Sequence, residues 1–244
     1  MREYCIAVLS DIHIPFHDKR SLSLVLKFLY DLKIKEIILN GDFLDFHNLS
    51  RWPKDLSIKP TLSDEISKGI QVTRLLQDIA PITWILGNHE VRLQDYISKQ
   101  CKELHGFVNI FEKFPDNINY IPFTPDQAYQ PIDNLIIRHV PPPGGNNVVS
   151  CAKSAGISTI SGHTHRRQFG TFNAYNGHSV SYHNSGCLCD FRQTIYNYLK
   201  GHHQWQQGII IIQVYKKTPI IHNIEIIPRG NKRLLAYQGQ VYEI

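Results

Sequence analysis

The sequence predicts an α/β fold, and two observations support this prediction. Short runs rich in Ile, Val and Leu alternate with amphipathic segments through much of the 244-residue chain. Such alternation is typical of βαβ units, which build a parallel sheet. In addition, five of the apolar runs end in Asp, Asn or His side chains. Because α/β folds place their chemistry at the carboxyl ends of strands, this pattern also predicts a functional site at one edge of the sheet.

The elements are predicted from hydrophobic periodicity and from helix and turn signals. Leu22, Val25 and Leu29 recur at helical spacing, and Pro81 ends the second helical segment. No repeat, linker or low-complexity tract interrupts the chain, so one domain spanning residues 1–244 is expected. The predicted order is strand 4–9, helix 21–32, strand 36–40, helix 64–79, strand 82–86, helix 90–103, a strand ending at His139, helix 147–155, strands 157–161, 168–174, 179–184, 208–215 and 219–227, and a hairpin at 233–243.

Composition restricts the class of protein. A hydrophobic content of 42% and a charged content of 19% are typical of a globular protein, and no apolar run reaches membrane-spanning length. The formal charge of +5 is compatible with an anionic substrate but does not by itself indicate nucleic-acid binding. An odd number of Cys residues, five, with no room for a targeting peptide before the first strand, predicts reduced thiols and a cytoplasmic location. Cys187 and Cys189 are too close in sequence for the usual zinc spacing, so a packing role is expected.

The polar residues at the strand ends form a ligand set for metal ions. They comprise three carboxylates, one amide and five imidazoles: Asp11, Asp42, Asp45, Asn88, His13, His89, His139, His163 and His165. Oxygen and imidazole donors without Cys suit Mn, Fe, Zn or Ni. These donors exceed what one ion can use, whereas two ions about 3.5–4 Å apart, bridged by a carboxylate, would use them all. Such a pair acidifies water and neutralises charge on a phosphoryl group.

Five motifs resemble those of the calcineurin-like metallophosphoesterase superfamily and occur in the same order. They are Asp11-x-His13, Gly41-Asp42-x-x-Asp45, Gly87-Asn88-His89-Glu90, His139 and Gly162-His163-x-His165. The resemblance covers about residues 4–190, and the size is similar to that of small bacterial and bacteriophage members. It implies a four-layer αββα sandwich with a dinuclear metal site at the C-terminal ends of the strands.

The resemblance also implies a role for each motif residue. The first metal would be held by Asp11, His13 and His165, the second by Asn88, His139 and His163, with Asp42 bridging the two; manganese is the expected ion, with iron, zinc or nickel as alternatives. His89 would face the phosphate and protonate or stabilise the leaving oxygen. Asp45 is expected to hydrogen-bond His89 and keep it cationic. Glu90 is expected to cap the following helix rather than to react.

The function implied is hydrolysis of a phosphodiester or nucleotide-type phosphate ester through a metal-bridging hydroxide. A nuclease acting on DNA or RNA and a phosphomonoesterase remain open alternatives. A non-catalytic scaffold is disfavoured because the chain retains His89 and every ligand. Asp45 is followed by Phe46-His47, where Ser/Thr protein phosphatases have Arg, and this argues against that branch. The expected partner is a phosphate-ester substrate, for which a nucleotide and a nucleic acid are both candidates. No membrane partner is expected, and the sequence does not indicate an oligomeric state.

The loop at residues 46–61 is longer than most connections between a strand and a helix, which favours contact with substrate. Arg51 offers a cation for phosphate, and Trp52 offers a flat face for a base. Alternatively, Trp52 packs under the loop as an anchor and Arg51 is solvated. The resemblance to bacteriophage members also suggests a virus-encoded protein that acts in the cytoplasm of a bacterial host.

Overall fold

Two β-sheets stacked face to face form the centre of the protein in a computed structural model, which describes residues 3–50, 59–124, 126–141, 147–175, 177–192 and 204–244. The strands are, in chain order, β1 (Tyr4–Leu9), β2 (Glu36–Asn40), β3 (Ile82–Ile85), β4 (Asn119–Ile121), β5 (Tyr129–Ile132), β6 (Leu135–Arg138), β7 (Ser158–Ser161), β8 (Arg167–Asn173), β9 (Ser179–Ser185), β10 (Gly208–Tyr215), β11 (Thr218–Glu225), β12 (Ile227–Arg229), β13 (Lys232–Tyr237) and β14 (Gln240–Glu243). The helices are α1 (Lys19–Asp31), α2 (Leu62–Gln77), α3 (Arg92–Gln100) and α4 (Val148–Ala155).

The first sheet has the strand order β11-β10-β1-β2-β3-β4, and the second has the order β5-β6-β7-β9-β8. Strands β1, β2 and β3 run parallel to one another, as do β6 and β7. Parallel strands end at the same edge of a sheet, so the loops that follow them lie side by side. A separate three-stranded sheet, β12-β13-β14, packs its middle strand against α1.

Alternation of side chains along the strands separates two apolar cores. Ala7 and Leu9 of β1 belong to the core shared with α1 and α2, whereas Ile6 and Val8 belong to the core between the two sheets. In strands, neighbouring side chains point to opposite faces, so a β-strand buried on both faces must be apolar throughout. Helix α4 packs against β7 and β9. The layers therefore follow the αββα order, and the α/β fold class is confirmed.

Most predicted elements are present within two or three residues of their expected bounds. Two short strands, β4 and β5, were not predicted, because each has only three or four residues and is defined by its pairing with a neighbour. The strand predicted at 219–227 is divided at Ile226, and its last part pairs with β13 instead of β10. Among the described helices, none combines the length and the apolar character that crossing a bilayer requires. That residues 1–244 form one domain stays a prediction.

Candidate metal centre and active site

The loops after β1, β2, β3, β6 and β7 bring the predicted ligands together. Asp11, His13 and His165 form one group, in which the donor atoms all lie within 4.8 Å of one another. A second group with the same property contains Asp42, His139 and His163. Asn88 joins the second group, since its Oδ1 lies 3.2 Å from His139 Nε2. All of these side chains are buried or partly buried.

Five of these residues adopt left-handed backbone conformations. The φ angles are 55° at Asp11, 54° at His13, 49° at Asp42, 70° at His163 and 57° at His165. Residues other than Gly rarely adopt such angles, although Asp and His tolerate them better than most. Each costs about 1–3 kcal/mol and persists only where the surrounding structure enforces it, and such residues concentrate at functional sites. Five of the twelve described non-Gly residues with positive φ thus lie in the two donor groups.

Two motif glycines are required by the close approach of ligand side chains. A Cβ atom on Gly41, which has a φ of 76°, would overlap the ring of His139. A Cβ atom on Gly87 would overlap the carboxylate of Asp42. The two glycines thus allow side chains from neighbouring strands to reach the centre of the site.

In the first group, hydrogen bonds fix the protonation of His13. Its Nδ1 donates to Asp45 Oδ2 at 2.8 Å, because an ionised carboxylate can only accept. The lone pair of His13 Nε2 then faces His165 Nε2 at 3.0 Å, and the latter atom lies 3.1 Å from Asp11 Oδ1. Burial lowers the pKa of His13, but the hydrogen bond and charge of Asp45 outweigh burial and raise the pKa above its usual value.

The second group shows the same arrangement. His139 Nδ1 donates to the main-chain oxygen of Asn40 at 2.8 Å, and its Nε2 lies 3.1 Å from Asp42 Oδ2. Three atoms therefore converge here: His139 Nε2, Asp42 Oδ2 and Asn88 Oδ1. All three are hydrogen-bond acceptors when His139 is neutral, and one becomes a donor only if His139 Nε2 also binds a proton. Burial lowers the pKa of His139, but attraction to Asp42 overcomes this and raises the pKa to about 10. A site that attracts a proton so strongly is one that a cation can occupy by displacing it.

The donors fit two divalent cations. Carboxylate and imidazole donors meet in both groups, and Asn88 adds an amide to the second, as expected for Mn, Fe, Zn or Ni. Asp42 Oδ2 lies 3.1 Å from His139 Nε2 and 3.9 Å from His13 Nε2, so one oxygen faces both groups. Although burial opposes ionisation, attraction to His139 and His89 lowers the pKa of Asp42 well below its usual value. The carboxylate is consequently charged and available to both groups.

A family model described as Calcineurin-like phosphoesterase matches residues 5–167. The chain belongs to the calcineurin-like phosphoesterase family. It is similar to the Gene 54 protein of Mycobacterium phage D29, with 27% identity over 227 residues that cover 86% of this chain and 88% of the phage protein. The Gene 54 protein of Mycobacterium phage L5 is 26% identical over 265 residues, which cover 98% of each chain. The structure resembles Vps29 of Chaetomium thermophilum, with a TM-score of 0.52, 11% identity and coverage of 99% and 95% of the two chains, which is a likeness of fold.

In this calcineurin-like phosphoesterase, His89 is held differently from the expectation. His89 Nδ1 donates to the main-chain oxygen of Asp45 at 2.7 Å, and His89 Nε2 accepts from Arg92 Nη2 at 2.7 Å. Burial lowers the pKa of His89 to about 3, so the imidazole is neutral. The expected hydrogen bond from His89 to the Asp45 carboxylate is wrong. Asp45 Oδ2 binds His13 at 2.8 Å and lies 3.9 Å from His89 Nδ1, because the two imidazoles flank Asp45 and His13 is closer to its carboxylate.

The expected helix-capping role of Glu90 is also wrong. Its carboxylate accepts hydrogen bonds from the main-chain N–H groups of Asp42 at 2.9 Å, Leu44 at 2.9 Å and Gly87 at 2.6 Å. Helix α3 begins only at Arg92. Glu90 therefore joins the loop after β3 to the loop after β2 and fixes the backbone around Asp42. Sequence spacing did not reveal this because the contacts cross between neighbouring strands.

Several residues that hold the site were missed by the sequence analysis. Gln127 accepts from the His139 main-chain N–H at 3.3 Å, and Asn184 donates to Gly162 O at 2.8 Å. Arg92 was missed as well, although its position three residues after His89 on a helical turn was a usable signal. The predicted substrate residues Arg51 and Trp52 lie outside the described residues.

Proposed function

We propose that the protein is a dinuclear metal-dependent phosphoric ester hydrolase that acts on a phosphodiester or a nucleotide-type phosphate ester. The observation that supports this proposal is the pair of adjacent donor groups that share the buried oxygen of Asp42.

The proposed ligands follow the two donor groups. The first metal is held by Asp11, His13 and His165, the second by Asn88, His139 and His163, with Asp42 between them. Manganese is proposed as the preferred ion, because imidazole ligands suit it better than magnesium. Two such ions would supply an acidified water nucleophile and positive charge opposite the phosphoryl oxygens.

The chain itself supplies orientation and a proton to the leaving group. The main-chain oxygen of Asp45 fixes the His89 ring by accepting from Nδ1, so Nε2 is the atom that can face a substrate. A substrate phosphate beside this ring favours the imidazolium, since an anion raises the pKa of a neighbouring imidazole. His89 Nε2 can then pass its proton to the leaving oxygen. In this proposal Asp45 acts on His89 through its carbonyl and on His13 through its carboxylate.

One experiment compares substrate classes directly. The protein reconstituted with manganese is assayed on a chromogenic monoester, a chromogenic diester, cyclic nucleotides and short single-stranded DNA, with Asp42→Ala as the matched inactive control. We expect the diester or cyclic nucleotides to be hydrolysed faster than the monoester. Preferential cleavage of DNA would favour the nuclease alternative, and no hydrolysis of any substrate by fully metallated protein would favour a scaffold.

The similarity to the two phage proteins supports a further part of the proposal, that the protein is encoded by a virus and acts in the cytoplasm of a bacterial host. Arg51 and Trp52 remain proposed substrate contacts. If they recognise a nucleotide, Arg51→Ala and Trp52→Ala raise KM for nucleotides and leave the melting temperature unchanged. A lower melting temperature and an equal loss on all substrates would instead identify Trp52 as an anchor of the loop.

A further inference from the structure

Arg92 places a cation beside the reactive part of the site without binding any of the proposed ligands. It is the first residue of α3. Its Nη2 lies 2.7 Å from His89 Nε2, and its Nη1 donates to the Asp45 main-chain oxygen at 2.9 Å. The side chain is 24% exposed, compared with 15% for His89 and 4% for Asp45. Arg92 is therefore the more solvent-facing member of this cluster.

The position of Arg92 brings it within reach of a bound phosphoryl group. His89 Nε2 lies 3.7 Å from Asp42 Oδ2, the oxygen shared by the two donor groups. The guanidinium and this carboxylate thus both lie next to His89 Nε2. A phosphate ester that contacts both His89 and the centre around Asp42 must approach the Arg92 guanidinium as well.

The present partners of Arg92 are weaker than a phosphate would be. Its two hydrogen bonds in the described part of the chain go to an uncharged imidazole nitrogen and an uncharged carbonyl oxygen. Among the described residues, the nearest carboxylate oxygen is Asp45 Oδ1, 4.0 Å from Arg92 Nη1, and the other oxygen of that carboxylate accepts from His13. Both present bonds carry charge on the donor only, whereas a phosphate oxygen adds the opposite charge on the acceptor and matches the guanidinium in a two-pronged geometry. A phosphate oxygen would therefore displace the imidazole as the acceptor for Nη2.

We propose that Arg92 binds the phosphate of the substrate. In the free protein its guanidinium covers His89 Nε2. When the ester binds, the guanidinium moves to a non-bridging phosphate oxygen, and His89 Nε2 is then exposed to the leaving oxygen. The inference rests on the proposed function. Ser/Thr protein phosphatases have an Arg at the position that Phe46 occupies here, directly after Asp45. The proposal therefore assigns phosphate binding to a different Arg. A single movement thus couples recognition of phosphate to the release of His89.

The test measures phosphate binding separately from turnover. Inorganic phosphate is titrated calorimetrically into zinc-loaded wild type, Arg92→Ala and Arg92→Lys, with the exposed Arg74→Ala on α2 as the matched control. Metal content and melting temperature are recorded for each variant. We expect Arg92→Ala to bind phosphate about tenfold to hundredfold more weakly with unchanged metal content, as for a lost hydrogen bond to a charged group. Arg92→Lys retains the positive charge but not the two-pronged guanidinium, so its phosphate affinity should be intermediate. The phosphate affinity of Arg74→Ala should match that of wild type.

A second measurement follows the His89 ring itself. In the ¹⁵N spectrum of the zinc-loaded wild type, phosphate should shift His89 Nε2 as the guanidinium leaves it. In Arg92→Ala this nitrogen should already be shifted before phosphate is added. Phosphate affinity unchanged in Arg92→Ala, with or without a lower melting temperature, would overturn the proposal and leave Arg92 as a structural link between α3 and Asp45. Failure of wild type to bind metal would instead refute the proposed function.

Discussion

At the scale of single residues, the contacts behind the imidazoles decide which nitrogen is available at the centre of the site. The Asp45 carboxylate accepts a hydrogen bond from His13 Nδ1, and the main-chain oxygen of Asn40 accepts one from His139 Nδ1. Once a second proton has been displaced, the Nε2 lone pair of each ring therefore faces its donor group. Partners of this kind orient a metal-binding imidazole and increase its basicity. The ligands are consequently arranged by neighbours that would never touch a metal.

Asp45→Asn should weaken metal binding to the group that contains Asp11, His13 and His165. The amide lacks the charge that favours the Nδ1–H form of His13, and loss of such a partner typically costs about 10–100-fold in metal affinity. Stepwise metal titration, with Asp95→Asn on the exposed face of α3 as the control, would measure this loss. If both metals bind as in wild type while kcat falls, the carboxylate acts on His89 and not on His13.

His89→Ala should retain its metals and lose on the order of 10²–10⁴ in kcat, the range typical of a general acid. The loss should be smaller for substrates with good leaving groups, because these need little protonation. Metal content and kcat measured across esters of graded leaving-group pKa would test this. An unchanged rate on the poorest leaving group would exclude His89 from the mechanism.

At the scale of elements, the sheet formed by β12, β13 and β14 is linked to the N-terminal end of α1 by a buried ion pair. Asp18 caps this helix by accepting from the main-chain N–H groups of Arg20 and Ser21. Its other oxygen, Oδ2, lies 2.6 Å from Nη2 and 2.9 Å from Nε of Arg233 on β13, which is 1% exposed. One buried carboxylate therefore serves as a helix cap and as the partner of a buried cation.

Arg233→Ala should lower the free energy of unfolding by about 3–5 kcal/mol, the cost of removing one partner from a buried ion pair. The remaining Asp18 carboxylate would be charged and poorly compensated. Chemical denaturation would measure the change, with Lys27→Ala as the control. Lys27 pairs with Asp31 on the exposed face of α1, and exposed pairs of this kind contribute little to stability. Equal effects of the two substitutions would show that Arg233 is not needed for stability.

At the scale of the whole molecule, the site depends on two sheets ending at the same place. The first sheet supplies Asp11, His13, Asp42 and Asn88 from the loops after β1, β2 and β3. The second sheet supplies His139, His163 and His165 from the loops after β6 and β7. The loops are joined by hydrogen bonds between the sheets, as where the His163 N–H donates to Asp11 Oδ2 at 3.0 Å. Neither sheet alone contains a complete donor group, so the site requires the two sheets to be stacked.

Saturation with manganese should give two ions per chain and a higher melting temperature. Ions that bind only the folded state stabilise it in proportion to the logarithm of their concentration over Kd. Elemental analysis after desalting, together with melting curves with and without a chelator, would test both expectations. Asp42→Ala should reduce binding at both groups, because one oxygen faces them both. A maximum of one ion per chain would refute the dinuclear arrangement.

The sequence by itself determined the α/β class, the bounds of most elements and the residues that meet at the sheet edge. It did so because strand periodicity and the ends of apolar runs are local properties of the chain. Motif order then sufficed to indicate the family. The seven proposed ligands needed no information on distant contacts, because each directly follows a strand or lies in the turn after it.

Only the tertiary structure decided how these residues are connected. It assigned the Asp45 carboxylate to His13, placed Glu90 under the loop around Asp42 and set Arg92 against His89. These contacts depend on the angle at which loops from neighbouring strands cross, which is fixed by the packing of the sheets and by left-handed turns. Local sequence patterns carry no information on that angle. Two imidazoles that are far apart in the chain, His13 and His89, lie near the Asp45 carboxylate, and only the packing decides which of them is close enough to donate to it.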